Sequence, residues 1–169
     1  IVIRGNRAYV PNTASSPNGP VKFNVNVQGF LSVIDITTDQ EVADETFNMN
    51  SGVQLEAVGK KLFITNPSAM AFKSGNDFDG FVLSRATDRL VRVVLDANGK
   101  PTINAPKVAN DPGNIVRIEV GVDTAILHNS GPEGVVINGS NTRAYVMNLI
   151  SRDVSVVDIA GDDPITYKE

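Results

Sequence analysis

Arg143-Ala144-Tyr145-Val146-Met147-Asn148, near the end of the chain, repeats Arg7-Ala8-Tyr9-Val10-Pro11-Asn12 from its beginning with one position changed. The correspondence extends outward in both directions. Downstream, Ser32-Val33-Ile34-Asp35-Ile36 matches Ser155-Val156-Val157-Asp158-Ile159, and upstream Ile1-Val2-Ile3 matches Val135-Val136-Ile137. Self-similarity over this span marks a solenoid, propeller or array and outranks any single-residue motif as evidence of architecture.

Each copy reads as short antiparallel strands. Val135 to Ile137 is apolar and ends at Asn138-Gly139, a dipeptide suited to a tight hairpin with φ > 0 at its central positions. Arg143 to Met147 is rich in aromatic and β-branched residues, and a polar turn separates it from Val154 to Asp158. A fourth strand is expected at Gln40-Glu41-Val42 after the first copy and at Ile165-Thr166-Tyr167 after the second. Four short antiparallel strands per unit make the blade of a β-propeller. The expected strands centre near residues 8–11, 31–35, 62–65, 91–95, 116–120, 135–137, 144–147 and 154–158, with no helix longer than a turn or two.

With its opening Pro132-Glu133-Gly134, the second copy resembles the YVTN-type β-propeller repeats of bacteria and archaea, whose unit carries Arg-Ala-Tyr-Val-x-Asn and Val-Ser-Val-Ile-Asp strands. Val116-Arg117-Ile118-Glu119-Val120-Gly121 fits the outer strand of the preceding blade. The middle departs more. Val53-Gln54-Leu55, Gly59 to Asn66 and Leu90 to Asp96 fit a degenerate blade, while Phe81-Val82-Leu83-Ser84 is an alternative for its Tyr-Val-x-Asn strand. The expected fold is all-β, a partial β-propeller of about two to three four-stranded antiparallel blades. Residues 1–169 then form a fragment of a single propeller domain that begins and ends mid-blade. The rest of a larger ring comes from further blades of the same or another chain, since a ring normally takes at least about four blades.

Composition excludes several classes. The 169 residues are 41% hydrophobic and 20% charged, enough apolar material for a sizeable core. A net charge of −4 and the lack of a Lys/Arg cluster argue against nucleic acid as a partner. No apolar run approaches the roughly 20 residues that a membrane-spanning helix needs. The chain has no Cys, so thiolate metal sites and covalent haem attachment are excluded from this stretch. A single His, His128, makes no metal cluster by itself.

Other chemical signals are sparse. Asn76-Asp77-Phe78-Asp79-Gly80 opens like a hard-cation loop, but no Glu follows at the twelfth position, and it reads as an Asp/Gly turn. Asn138-Gly139-Ser140 meets the glycosylation pattern yet also reads as a turn. Asp162-Asp163 lie in a solvated connection. Asp35 and Asp158 recur at equivalent positions, which points to turn capping in each blade rather than to catalysis.

An up-and-down blade sorts its loops by face: first-to-second and third-to-fourth turns on one side, second-to-third turns and blade-to-blade links on the other. Asn12 to Ser32 spans twenty positions where Asn148 to Ser155 spans seven, so the first blade carries an insert on the latter side. Pro67 to Phe78 reads as a similar insert. Val21, Phe23, Val25 and Val27 alternate with polar residues, so the first insert reads as a strand prolonging Leu31 to Ile36, with Gly29 at a bulge or bend. Lys22, Phe23, Phe30, Phe72, His128 and Arg152 are the candidate partner-binding residues; no catalytic, cofactor or metal residue is assigned. The expected function is a non-catalytic binding or scaffold module with a protein or cell-surface partner. The resemblance implies an extracytoplasmic location. Two other readings belong to different classes: the propeller part of a c-type haem electron-transfer protein whose haem motifs lie outside this stretch, and, ranked lower, a propeller hydrolase or lactonase.

Overall fold

The computed structural model describes residues 1–16, 18, 26–54, 56–59, 61–104, 115–121 and 130–169. The described residues form three antiparallel sheets, each a meander in which sequence neighbours pair. Sheet 1 contains β1 (Val2–Arg4), β2 (Arg7–Ser15), β3 (Val27–Asp35), β4 (Gln40–Glu41) and β5 (Phe47–Asn48). A single helical turn, α1 (Asn50–Val53), leads toward sheet 2. That sheet contains β6 (Pro67–Phe72), β7 (Asp79–Ser84), β8 (Arg89–Leu95), β9 (Pro101–Thr102) and β10 (Arg117–Glu119). Sheet 3 is β11 (Pro132–Ile137), β12 (Arg143–Asn148) and β13 (Asp153–Asp158). The chain is all-β, and its sheets are stacked in the manner of propeller blades.

The outermost position is broken in two in both larger sheets: β4 and β5 pair with different parts of β3, and β9 and β10 with different parts of β8. In sheet 3 it is reduced to an isolated bridge between Asp158 and Lys168. The strand expected at Ile165 to Tyr167 is instead a 3₁₀ turn over Pro164–Thr166, capped by the Asp163 carboxylate, which accepts from the Ile165 N–H at 3.0 Å. Proline suits the first position of a helical turn, where its missing N–H leaves no bond unmade.

Burial on both faces accounts for the irregular sequence pattern of the middle blade. Every residue of β7 is buried, because sheet 2 has a neighbour on each face. Tyr9, Leu31 and Val33 of sheet 1 pack on Met70, Val82, Val91 and Val93. Phe81, Leu83, Leu90 and Ile118 on its opposite face pack on Val135, Ala144, Val146 and Val157 of sheet 3. A strand covered on both faces reads as a continuous apolar run rather than an alternating one.

The Phe81 to Ser84 alternative is therefore the second strand of the middle blade, and two expectations are corrected. Val53 ends a helical turn rather than lying in a strand, and residues 61–65 form no strand. An amide side chain takes the place of a strand partner there: Asn50 accepts from the Ile64 N–H at 2.7 Å and donates to the Ile64 carbonyl at 2.9 Å. These bonds satisfy the buried backbone of Ile64, which any folded segment must do by some route.

The repeat also sets a direction. In β2, Tyr9 faces sheet 2; in β12, Ala144 and Val146 face sheet 2, and Tyr145 points to the opposite side. The Tyr face of the motif in sheet 1 thus turns toward the following sheet, and its Ala/Val face in sheet 3 toward the preceding one.

Candidate functional site

Two ends of the stack differ in construction. At one end lie the β1–β2, β6–β7 and β11–β12 turns, which are latched to each other. The Arg4 guanidinium donates to the carbonyls of Lys73 at 2.8 Å, Gly75 at 2.9 Å and Asp77, and stands 5.5 Å from the Phe72 ring centre and 5.9 Å from that of Phe78. The Ser74 N–H donates to Asn141 Oδ1 at 2.7 Å, and Asn141 Nδ2 donates back to the Ser74 carbonyl at 3.0 Å. Asn138 closes the last of these turns: its Oδ1 accepts from the N–H groups of Thr142 and Arg143 at 2.8 and 2.9 Å. The connection runs over five residues, 138–142, and its left-handed residue is Asn141 at φ 58° rather than Asn138 or Gly139, where positive φ was expected.

The same end carries the repeated aspartates. Asp35 Oδ1 accepts from the Thr37 N–H at 2.8 Å, Asp158 Oδ1 from the Ala160 N–H at 2.9 Å, and Asp96 Oδ1 from Asn98 and Lys100 at 2.8 and 2.9 Å. Each caps the turn after the third strand, as the recurrence implied, and Asp96 supplies the middle blade's copy. The Thr37 hydroxyl and N–H hold the Asp35 carboxyl below its usual range, and the Lys100 and Asn98 N–H groups do the same for Asp96. Arg7 bridges Glu45 at 2.8 Å and Asp35 at 2.6 Å, which raises its already high proton affinity, the Glu45 hydrogen bond being the largest cause. Tyr9 donates to the Gly99 carbonyl at 2.7 Å, and burial raises the pKa of its hydroxyl.

Two cavities open here, of about 280 and 200 Å³, and both include Arg4. Its guanidinium is already committed to three carbonyls. A third, of about 400 Å³, lies beside Arg117 and Tyr167, and Arg117 is held in a two-pronged pair with Glu56 at 2.8 and 2.9 Å. Asp79, of the stretch that resembled a cation loop, is buried against Arg92 at 2.9 Å. Among the described residues no three His, Cys, Asp or Glu converge as metal ligands. No helix among them is long and apolar enough to cross a membrane.

The opposite end is elaborated. The β2–β3 ladder runs without a break from Arg7↔Asp35 to Ser15↔Val27, three pairs longer than the β12–β13 ladder, and the Ser16 N–H continues it to the Asn26 carbonyl at 2.9 Å. Residues 27–30 do prolong β3 back from Leu31, the rest of the alternating stretch, 21–25, lying outside the described residues, but Gly29 is no bulge. Its register is regular, and glycine is required by close approach: a Cβ there would meet the Ile64 carbonyl oxygen at 2.7 Å. On sheet 3 the β12–β13 turn presents Leu149 and Ile150, each 54% exposed, beside exposed Arg152 at φ 62°.

Of the candidate residues, Lys22, Phe23 and His128 lie outside the described residues. Half-buried Phe30 and exposed Arg152 lie at the elaborated end, on sheets 1 and 3. Phe72 does not. Pro67–Phe72 is the inner strand β6 rather than an insert, and the Phe72 ring packs edge-on to Tyr9 at the latched end, 5.1 Å between centres. Small Ala69 and Ala71 on one face of β6, with Pro67 and Ser68 at its start, hide the strand pattern. Leu149 and Ile150 escaped the sequence reading, although two aliphatics inside an otherwise polar turn are visible there.

No protein-family model matches the sequence, and no curated protein matches it. Solved structures do. A Kuenenia stuttgartiensis hydrazine synthase chain is similar over 94% of this chain and 43% of its own length, with TM-score 0.61 and 13% identity. A functionally unknown protein from Desulfotomaculum acetoxidans is similar over 85% of this chain and 34% of its own, with TM-score 0.52 and 12% identity. This chain therefore spans less than half the length of either. At such identities the likeness concerns the fold alone, and it agrees with the propeller-type stack described above.

Proposed function

We propose that this chain is the binding or scaffold part of a YVTN-type β-propeller protein, acting outside the cytoplasm and without catalysis of its own. Its contact face is the end formed by the β2–β3 hairpin and the β12–β13 turn. The repeated Arg-Ala-Tyr-Val-x-Asn and Val-Ser-Val-Ile-Asp strands support the repeat type, and the location rests on that resemblance. The observation that carries the face is Leu149 and Ile150, both 54% exposed at a turn beside Arg152, at the end toward which the β2–β3 ladder runs on to Ser15↔Val27. Binding surfaces grow from loops on a rigid scaffold, exposed apolar patches mark interaction sites, and arginine is enriched among contact hot spots.

The test compares the two ends. Leu149→Ser, Ile150→Ser and Arg152→Glu are combined in one variant, and Ser140→Arg alters the latched end. Both, with the parent chain, are immobilised and exposed to the cell-envelope fraction of the source cells, and retained proteins are quantified. The reading expects retention lost in the first variant and kept in the second, with melting temperatures within a few degrees of the parent. Retention that survives the first variant, or fails only in the second, would place the contact elsewhere.

A further inference from the structure

The three blades share one backbone bond at the latched end, and the residue that accepts it differs among them. The N–H groups of Ile36, Leu95 and Ile159 donate to the carbonyls of Asn6, Phe78 and Thr142 at 3.0, 3.0 and 2.9 Å, so these three acceptors hold one place in the repeat. Two are polar, and the middle one is an aromatic ring 46% exposed. Blade packing therefore does not call for an aromatic there. Phe78 instead borders the cavity of about 200 Å³ between the β1–β2 turn and the turn after β8. The walls of that cavity are fixed. The Asp96 N–H donates to the Lys100 carbonyl and the Gly99 N–H to the Asp96 carbonyl, both at 3.0 Å, and Tyr9 ties Gly99 to sheet 1. On the other side, Arg4 holds the Asp77 carbonyl next to Phe78.

Bonding groups remain open on these walls. Asp96 Oδ1 is taken by two N–H groups, but Oδ2 accepts nothing among the described residues, and the exposed Asn98 amide has no partner among them. Arg7 gives its Nε–H and one N–H of each terminal nitrogen to Glu45 and Asp35, which leaves a second N–H on each. Charge selects a neutral ligand. Arg7 is balanced by its two carboxylates and Arg4 is spent on carbonyls, so an anion would face the Asp96 carboxylate. A cation would meet the Arg4 guanidinium, which already stands 5.9 Å from the Phe78 ring centre. We infer that this cavity binds one uncharged pyranose unit, its C–H face on Phe78 and its hydroxyls on Asp96, Asn98 and Arg7. The negative π face of the ring suits the C–H groups, and hydroxyls both donate to a carboxylate and accept from Arg or Asn. A volume below the roughly 300–1,000 Å³ of drug-sized sites limits the occupant to one ring. The site lies at the opposite end from the proposed contact face and does not depend on it.

Saturation-transfer difference NMR tests this, with methyl glucopyranoside, methyl mannopyranoside, methyl galactopyranoside and N-acetylglucosamine as probes. At least one should receive transfer on the hydrogens of one ring face, with a dissociation constant of about millimolar order, as few contacts give. Asn98→Ala removes an exposed side chain without a partner and should weaken binding about two- to tenfold. Phe78→Ala should weaken it about tenfold or more through loss of the stacked ring, and Phe78→Tyr should retain it. Circular dichroism and melting verify folding, and Asn98→Ala carries the test if Phe78→Ala does not fold. Sorbitol, which has the hydroxyls without the ring, should receive no transfer. Transfer to none of the sugars would overturn the inference, as would equal transfer in the parent and both alanine variants. Transfer to sorbitol equal to that of the sugars, or a preference for methyl phosphate over all of them, would overturn it too.

Discussion

Tyr9 and Tyr145 stand in the same six-residue motif and at the same register, opposite Val2 and Val33 in one sheet and Val136 and Val156 in the other. Tyr9 is 1% exposed with its hydroxyl bonded to Gly99, whereas Tyr145 is half-buried on a free face. Identical local sequence therefore makes the same strand in both places. What differs is whether another sheet lies against it, and that decides how much each side chain contributes to stability.

The sharpest way to break this comparison is to truncate both tyrosines. Tyr9→Ala should cost about 3–5 kcal/mol by urea denaturation, as for other large buried rings. Tyr145→Ala should cost under about 1 kcal/mol, as changes at exposed positions usually do. Equal losses would mean that position in the stack does not set the energetics.

Ion pairs sharpen the same contrast. Arg92 lies between sheets 2 and 3, with 5% of its side chain exposed, 2.9 Å from buried Asp79, and Lys73 is 4.0 Å from that carboxylate. Arg92→Met removes its main partner and should cost about 3 kcal/mol. Arg7, at the wetter edge with Glu45 and Asp35, should give a smaller loss on Arg7→Met, part of it removed from the parent by added salt. Denaturation with and without salt separates the two.

Glycine tests the next level down. Gly29→Ala drives a Cβ into the Ile64 carbonyl oxygen and should cost about 1–3 kcal/mol. Gly139→Ala, with nothing within 4 Å of the added carbon, should stay within about 0.5 kcal/mol.

The smallest effect is one of pH. The folded state lowers the Asp96 pKa below 3.8 through N–H groups of its own turn. A lowered carboxylate stabilises fully above the unfolded value and loses that contribution as pH falls through the folded one. The melting-temperature gap between parent and Asp96→Asn should therefore be widest above pH 5 and close on acidification. A gap that widens in acid would refute this assignment.

Much of the blade was legible because its determinants are local. Arg143 to Asn148 and Val154 to Asp158 carry β-forming side chains between polar turns, and the recurring aspartates cap turns two residues away. The middle blade was obscured because burial on both faces erases alternation. The candidate face was legible only in part. Phe72 looked like a loop aromatic because Pro67, Ser68 and two alanines mask a strand, while Leu149 and Ile150 acquire meaning only once the turn is known to stand exposed.

By itself, the amino-acid order determined the repeat, the strand-forming segments of the outer blades, the capping role of the aspartates and the absence of cysteine chemistry. These depend on backbone preference and on neighbours a few residues apart. Only the tertiary structure decided which face of each sheet is covered, that Asn50 stands in for a strand at Ile64, that Arg4 latches two turns, and that Tyr9 is fully buried where Tyr145 is half-buried. Those outcomes depend on partners tens of residues away, whose approach no local pattern encodes.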